Sequence, residues 1–214
     1  MGISLPALLL GICLLVLVCF IVSYAELVIS YIQIGFLQFP PVVIGLFFFI
    51  VIINRLIPRL SRRLKLSSRE LMLIYCMMLI ASSISSRGLM EKFIPALVAV
   101  NYFANQSNNW ADLFFPFVKD WLVPFDPNRK SEQKTVIDFY EGTVDAIPWR
   151  EWMSPLLAWS IVVFLIFFAF LCLAAIIRKQ WVENEKLSFP LVQLPLEFAN
   201  QKRRFLSNRL MWLG

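Results

Sequence analysis

The chain has 214 residues, a net charge of +6 and no histidine, with 59% hydrophobic and 16% charged residues. Soluble domains sit nearer ~45–50% apolar and ~25% charged, and the excess here is gathered into long runs, the pattern of a polytopic membrane protein. The missing His excludes His-based metal sites and triads. The basic residues crowd beside apolar runs, which points to lipid and topology rather than nucleic acid.

Leu5 to Tyr24 is almost uncharged and long enough, at ~1.5 Å rise per residue, to cross a ~30 Å hydrocarbon core. A secretory signal is the rival reading, because Ser23 and Ala25 fit a small-x-small cleavage site. The lack of Lys or Arg before the run, and its length, favour a retained first span, placed at residues 5–27. Glu26, at its end, reads as a solvated or interfacial carboxylate rather than a substrate site.

Residues 41–58 form the second expected span, opened by Pro40-Pro41. Arg55, Arg59, Arg62, Arg63, Lys65 and Arg69 then crowd into one short loop, opposed only by Glu70. The positive-inside rule makes that loop cytoplasmic, with the N-terminus on the same side. Ser67 and Glu70 have the spacing of a capping box, in which the hydroxyl accepts an early backbone N–H and the carboxylate reaches back.

The third span is placed at residues 70–88. It runs into a polar patch (Ser82, Ser83, Ser85, Ser86, Arg87, Gly88, Glu91, Lys92) before apolar character resumes up to Phe103. One unbroken helix over 71–103 would exceed the membrane thickness, so the patch marks a break. Residues 105–152 carry eight acids against five bases, and the stretch after the next run is strongly basic. A single crossing puts the acidic loop outside and the basic stretch inside. Gly88–Phe103 is then a tilted continuation, an interfacial helix or a re-entrant piece. The loop holds Trp110, Trp121, Trp149 and Trp152, suited to an outer aromatic belt, and Val136–Glu141 reads as a short helix.

Residues 154–177 are the clearest span, with no charge at all. The connector 178–209 follows, too polar to cross a bilayer, with Pro190 and Pro195 forbidding one continuous helix. Its 187–197 part is either a membrane-dipping loop or an amphipathic piece on the inner leaflet. The tail 209–214 has the composition of a further span beginning. Cys13, Cys19, Cys76 and Cys172 form no CxxC pair and read as small buried hydrophobes.

No P-loop, GxSxG, HExxH or dinucleotide glycine pattern is present, so no catalytic residue, metal or cofactor is expected. The candidate pathway residues are Ser82, Ser83, Ser86, Arg87 and Glu91. Polar groups at membrane depth are costly, and broken helices are where transporters hold substrates and ions. The plainer reading stands beside it: the third span ends near Ser86, and Arg87, Glu91 and Lys92 lie among headgroups.

Trp181 to Glu197 (WVENEKLSFPLVQLPLE), directly after a long span, resembles a segment of large bacterial and archaeal membrane proteins related to the oligopeptide transporter (OPT) superfamily. Leu187-Ser188-Phe189-Pro190 is similar to that superfamily's L-x-[FY]-P element, and Leu66–Leu71 to its helix-opening element. The resemblance implies an all-α, four-span N-terminal part of an OPT-like secondary transporter in the inner membrane. It also implies a cytoplasmic motif of Glu185, Lys186, Leu187, Phe189 and Pro190. The expected partners are the lipid bilayer and the remaining spans, other subunits or further copies of the chain. The alternative is a non-transporting membrane subunit or scaffold whose loop 105–152 docks a partner.

Overall fold

The computed structural model describes residues 3–30, 32–35, 37–56, 65–85, 87, 89–129, 131, 133–142 and 146–200, in which helices are joined by turns and loops with no strand among them. The helices are α1 (Leu5–Ser23, continued by a π turn, Tyr24–Ile29), α2 (Pro41–Leu56), α3 (Ser68–Ser85) and α4 (Met90–Tyr102). They are followed by the single turn α5 (Trp110–Leu113), α6 (Lys134–Glu141), α7 (Trp149–Lys179, continued by a π turn, Gln180–Asn184) and α8 (Pro190–Ala199). Among the described residues, three helical stretches are long and apolar enough to cross a membrane: Leu5–Ile29, Ser68–Tyr102 and Trp149–Asn184. The expected second span corresponds to α2, a shorter apolar helix of 16 residues. Residues 57 and 58, most of the basic loop and the tail 209–214 lie outside the described residues.

The chain divides into two compact units, residues 1–92 with 188–214, and residues 93–187. In the first, α1 and α3 run side by side in the same direction. At one end the Glu70 carboxylate accepts the Ser4 backbone N–H at 3.0 Å and the Ser4 hydroxyl; at the other, the Ser23 hydroxyl donates to the Ser85 carbonyl at 3.3 Å. The same Glu70 closes the expected capping box, accepting the Ser67 N–H at 2.8 Å while the Ser67 hydroxyl accepts the Glu70 N–H at 3.3 Å. One side chain therefore fixes the starts of both helices.

The helix α1 is apolar all round, so small residues decide its packing face. Ala7, Gly11, Val18 and Val22 are its buried positions, and a Cβ on Gly11 would come within 2.8 Å of the Met77 sulphur on α3. The α3 side supplies Leu71, Ile74, Tyr75 and Met78, and α2 adds Val43, Phe47, Ile50 and Val51. Phe47 and Tyr75 meet with ring centroids 5.0 Å apart. Asn54, buried near the end of α2, grips Leu66 from both sides: its amide donates to the Leu66 carbonyl at 3.0 Å and its oxygen accepts the Leu66 N–H at 2.8 Å. That pair of bonds ties the end of α2 to the residues just before α3.

Helix α8 packs onto the same bundle. Pro190 occupies its first turn, where the missing N–H costs nothing. Phe198 stacks obliquely on Phe48 at 5.3 Å, and the Ser68 hydroxyl donates to the Ala199 carbonyl at 2.7 Å.

In the second unit Leu97 and Val98 of α4, Phe115, Phe125, Val136 and Trp152 form a separate core. The Trp159 indole N–H donates to the Leu122 carbonyl at 2.9 Å, and the Tyr140 hydroxyl donates to the Pro95 carbonyl at 3.1 Å. These bonds tie the 103–148 segment to its flanking helices. From Leu156 onward no side chain of α7 is buried. Cys13, Cys76 and Cys172 are exposed and Cys19 is half-buried, contrary to expectation.

Candidate functional site

The polar break expected near Ser86 is present: α3 stops at Ser85 and α4 starts at Met90. Its centre is a residue that sequence reasoning read as a solvated or interfacial carboxylate. Glu26 lies on the π turn that ends α1 and is 1% exposed. Its Oε1 accepts the backbone N–H groups of Ile34 at 2.8 Å and Gly35 at 2.6 Å, and its Oε2 accepts that of Arg87 at 3.3 Å. The bonds to backbone donors compensate a carboxylate that burial would otherwise make costly. A π turn widens the helix by one residue per turn and re-aims what it carries, and the left-handed Ser30 (φ 67°) ends it.

The rest of the patch assembles around this carboxylate. Buried Ser82 donates its hydroxyl to the Gly35 carbonyl at 2.9 Å, so residues 34 and 35 are held from two helices. The Arg87 guanidinium donates to the Ser30 carbonyl at 3.2 Å, and its Nε lies 3.1 Å from Glu91 Oε2. Lys92 approaches the other Glu91 oxygen at 3.3 Å, from an exposed position. Ser85 Oγ is buried near the break with no partner among the described residues.

Of the sequence candidates, Ser82, Arg87 and Glu91 are brought together. Ser83 turns its hydroxyl back to the Ile80 carbonyl at 2.9 Å and takes no part. Ser86 lies outside the described residues. Glu26 and the backbone of Ile34, Gly35 and Ser30 were missed. The available signal was an acid at the end of an apolar run with a glycine nine positions on.

The second sequence candidate has a different role. Glu185 caps the π turn that ends α7, its N–H donating to the Gln180 carbonyl at 3.0 Å and its carboxylate accepting the Gln180 amide at 3.1 Å. Lys186 is left-handed (φ 49°), and the Leu187 N–H returns to the Trp181 carbonyl at 3.0 Å. Phe189 precedes α8 and Pro190 opens it. The motif is a helix stop followed by a helix start. Leu187 and Phe189 are exposed.

No group of three or more Cys, Asp or Glu suited to a metal ion occurs among the described residues. The architecture is that of an all-α membrane protein with a polar clasp at a helix break. The chain belongs to a family of unknown function, DUF6785, whose profile matches residues 1–214. Neither a curated protein nor a solved structure matches it.

Proposed function

We propose that the chain forms the first spans of an OPT-like secondary transporter of the inner membrane, N-terminus inside, moving a small solute or peptide. The supporting observation is the clasp: a fully buried carboxylate and an Arg–Glu pair gathered where two apolar helices are interrupted. Such groups are expensive beside hydrocarbon and cluster at substrate and ion pathways, where broken helices expose backbone groups. The guanidinium of Arg87 is committed to Ser30 and Glu91, so the clasp acts as a gate. It holds the α1–α2 connector against the α3–α4 break, and opening requires Arg87 and Glu26 to part. The test is uptake of a labelled short-peptide panel by cells expressing the complete reading frame. Arg87→Ala and Glu91→Gln should lower uptake at unchanged membrane abundance. Uptake at the wild-type rate in both variants removes the clasp from the mechanism.

A second reading, a non-transporting subunit or scaffold, draws on the separate core of residues 93–187, which gives the acidic loop a fixed surface. It requires a second protein that co-purifies at fixed stoichiometry. Neither reading uses a catalytic residue, a cofactor or nucleic acid.

A further inference from the structure

The 93–187 unit contains a cleft of about 320 Å³ between α6 and the first two turns of α7. Two helix faces line it together with Ile94, Ile147 and Pro148. Thr135, Asp138 and Phe139 are spaced i, i+3, i+4 along α6; Trp149, Trp152 and Leu156 are spaced i, i+3, i+7 along α7. Phe139 and Trp152 meet with centroids 5.6 Å apart at 42°. Trp152 is 7% exposed and serves as the wall, whereas Trp149 is 58% exposed and stands at the lip. Its volume sits at the lower end of the ~300–1,000 Å³ range of small-molecule sites.

The chemistry of the lining is specific. Among the described residues that line it are three aromatic rings, aliphatic side chains and one charged group, Asp138, with no Lys or Arg. Asp138 has no hydrogen bond or ion pair among the described residues. A purely hydrocarbon guest would cover a carboxylate and leave it uncompensated. A hydrated metal ion or an anion would gain little from a lining of three aromatic rings. A cation with an apolar skin satisfies both, because ring faces attract positive charge and the carboxylate neutralises it. The larger cleft of the same unit, about 640 Å³, mixes Asp120, Asp126 and Glu151 with Arg150 and selects no single ligand class.

We propose that the Asp138–Phe139–Trp149–Trp152 cleft binds an organic ammonium group. The group is carried either by a small free cation or by an amine-bearing lipid headgroup reaching the start of α7. The proposal is independent of the transport reading.

The test uses the full chain in detergent, titrated with choline chloride while tryptophan emission is followed, beside its neutral isostere 3,3-dimethylbutan-1-ol. Choline should give a saturable change that the isostere does not, Trp149→Phe should remove most of it, and Asp138→Asn should weaken binding by roughly tenfold. In a second arm, the protein in mixed phosphatidylethanolamine and phosphatidylglycerol nanodiscs is stripped of bulk lipid, and the retained lipid is weighed by mass spectrometry. Selective, Asp138-dependent retention of the ethanolamine lipid assigns the headgroup as the source. A choline response without lipid selectivity assigns a free cation. Asp138 has no partner among the described residues, so its substitution should leave folding intact. Thr135→Lys, on the same helix face, tests the charge requirement a second way and should abolish both signals. An equal response to the neutral isostere, or unchanged binding and retention in both variants, overturns the proposal.

Discussion

The Glu26 carboxylate and the Arg87 backbone N–H meet at 3.3 Å across 61 positions of sequence. The contact joins the end of α1 to the break after α3, and it is made to the backbone of Arg87, so substituting the Arg87 side chain leaves it in place. Glu26→Gln keeps one acceptor oxygen for Ile34 and Gly35 but turns an amide N–H₂ toward the Arg87 N–H. Two donors then face each other in a buried site, and stability should fall by about 1–3 kcal/mol. Thermal unfolding in detergent reads this directly. A variant as stable as wild type would mean the carboxylate holds nothing.

Gly11 faces Met77 at the closest approach of α1 and α3. The sulphur is the far part of a flexible side chain, so Gly11→Ala should be tolerated with a loss under about 1 kcal/mol, whereas Gly11→Val wedges the pair and should cost about 1–3 kcal/mol. The ordering Gly, Ala, Val in midpoint of unfolding checks the packing. Equal midpoints would place the two helices farther apart.

Asn101 on α4 is 2% exposed, and both its amide nitrogen and its oxygen are buried without a partner among the described residues. Replacing an unsatisfied amide by a hydrocarbon of similar size removes a desolvation cost. Asn101→Leu should therefore raise stability by about 1–2 kcal/mol. A destabilised variant would indicate that the amide has a partner in the native membrane.

Burial pushes the Tyr140 phenol up from its ordinary range, and the neighbouring Tyr102 pushes it the same way. The ring of Tyr102 lies 4.2 Å away, stacked. The proton is also the one donated to Pro95. A raised acid is held protonated by the fold, so its contribution is full below about pH 10 and is lost as pH rises through the shifted value. The 93–187 unit should loosen above about pH 10, and Tyr140→Phe should flatten that alkaline slope while costing about 1 kcal/mol at neutral pH through the lost hydrogen bond. Near-ultraviolet circular dichroism against pH checks both parts. A slope unchanged by the substitution would assign the transition to other groups.

The membrane class and most of the element order are legible from residues 5–27, 41–58, 70–88 and 154–177, because hydrocarbon admits only backbone that satisfies its own hydrogen bonds. The same holds for the capping box at Ser67 and Glu70 and for the break after Ser85, which depend on neighbours a few positions apart. What α1 packs against is not legible, since it is apolar on every side and its moment points nowhere. The packing face follows from Gly11 meeting Met77, a matter of backbone distance. Burial of Glu26 is likewise tertiary: its donors come from residues 34, 35 and 87, and only the closed bundle brings them to one carboxylate. The grouping of Asp138, Trp149 and Trp152 around one cleft is of the same kind. Local pattern reports which solvent a residue prefers. Which neighbour replaces that solvent is decided by how the helices cross.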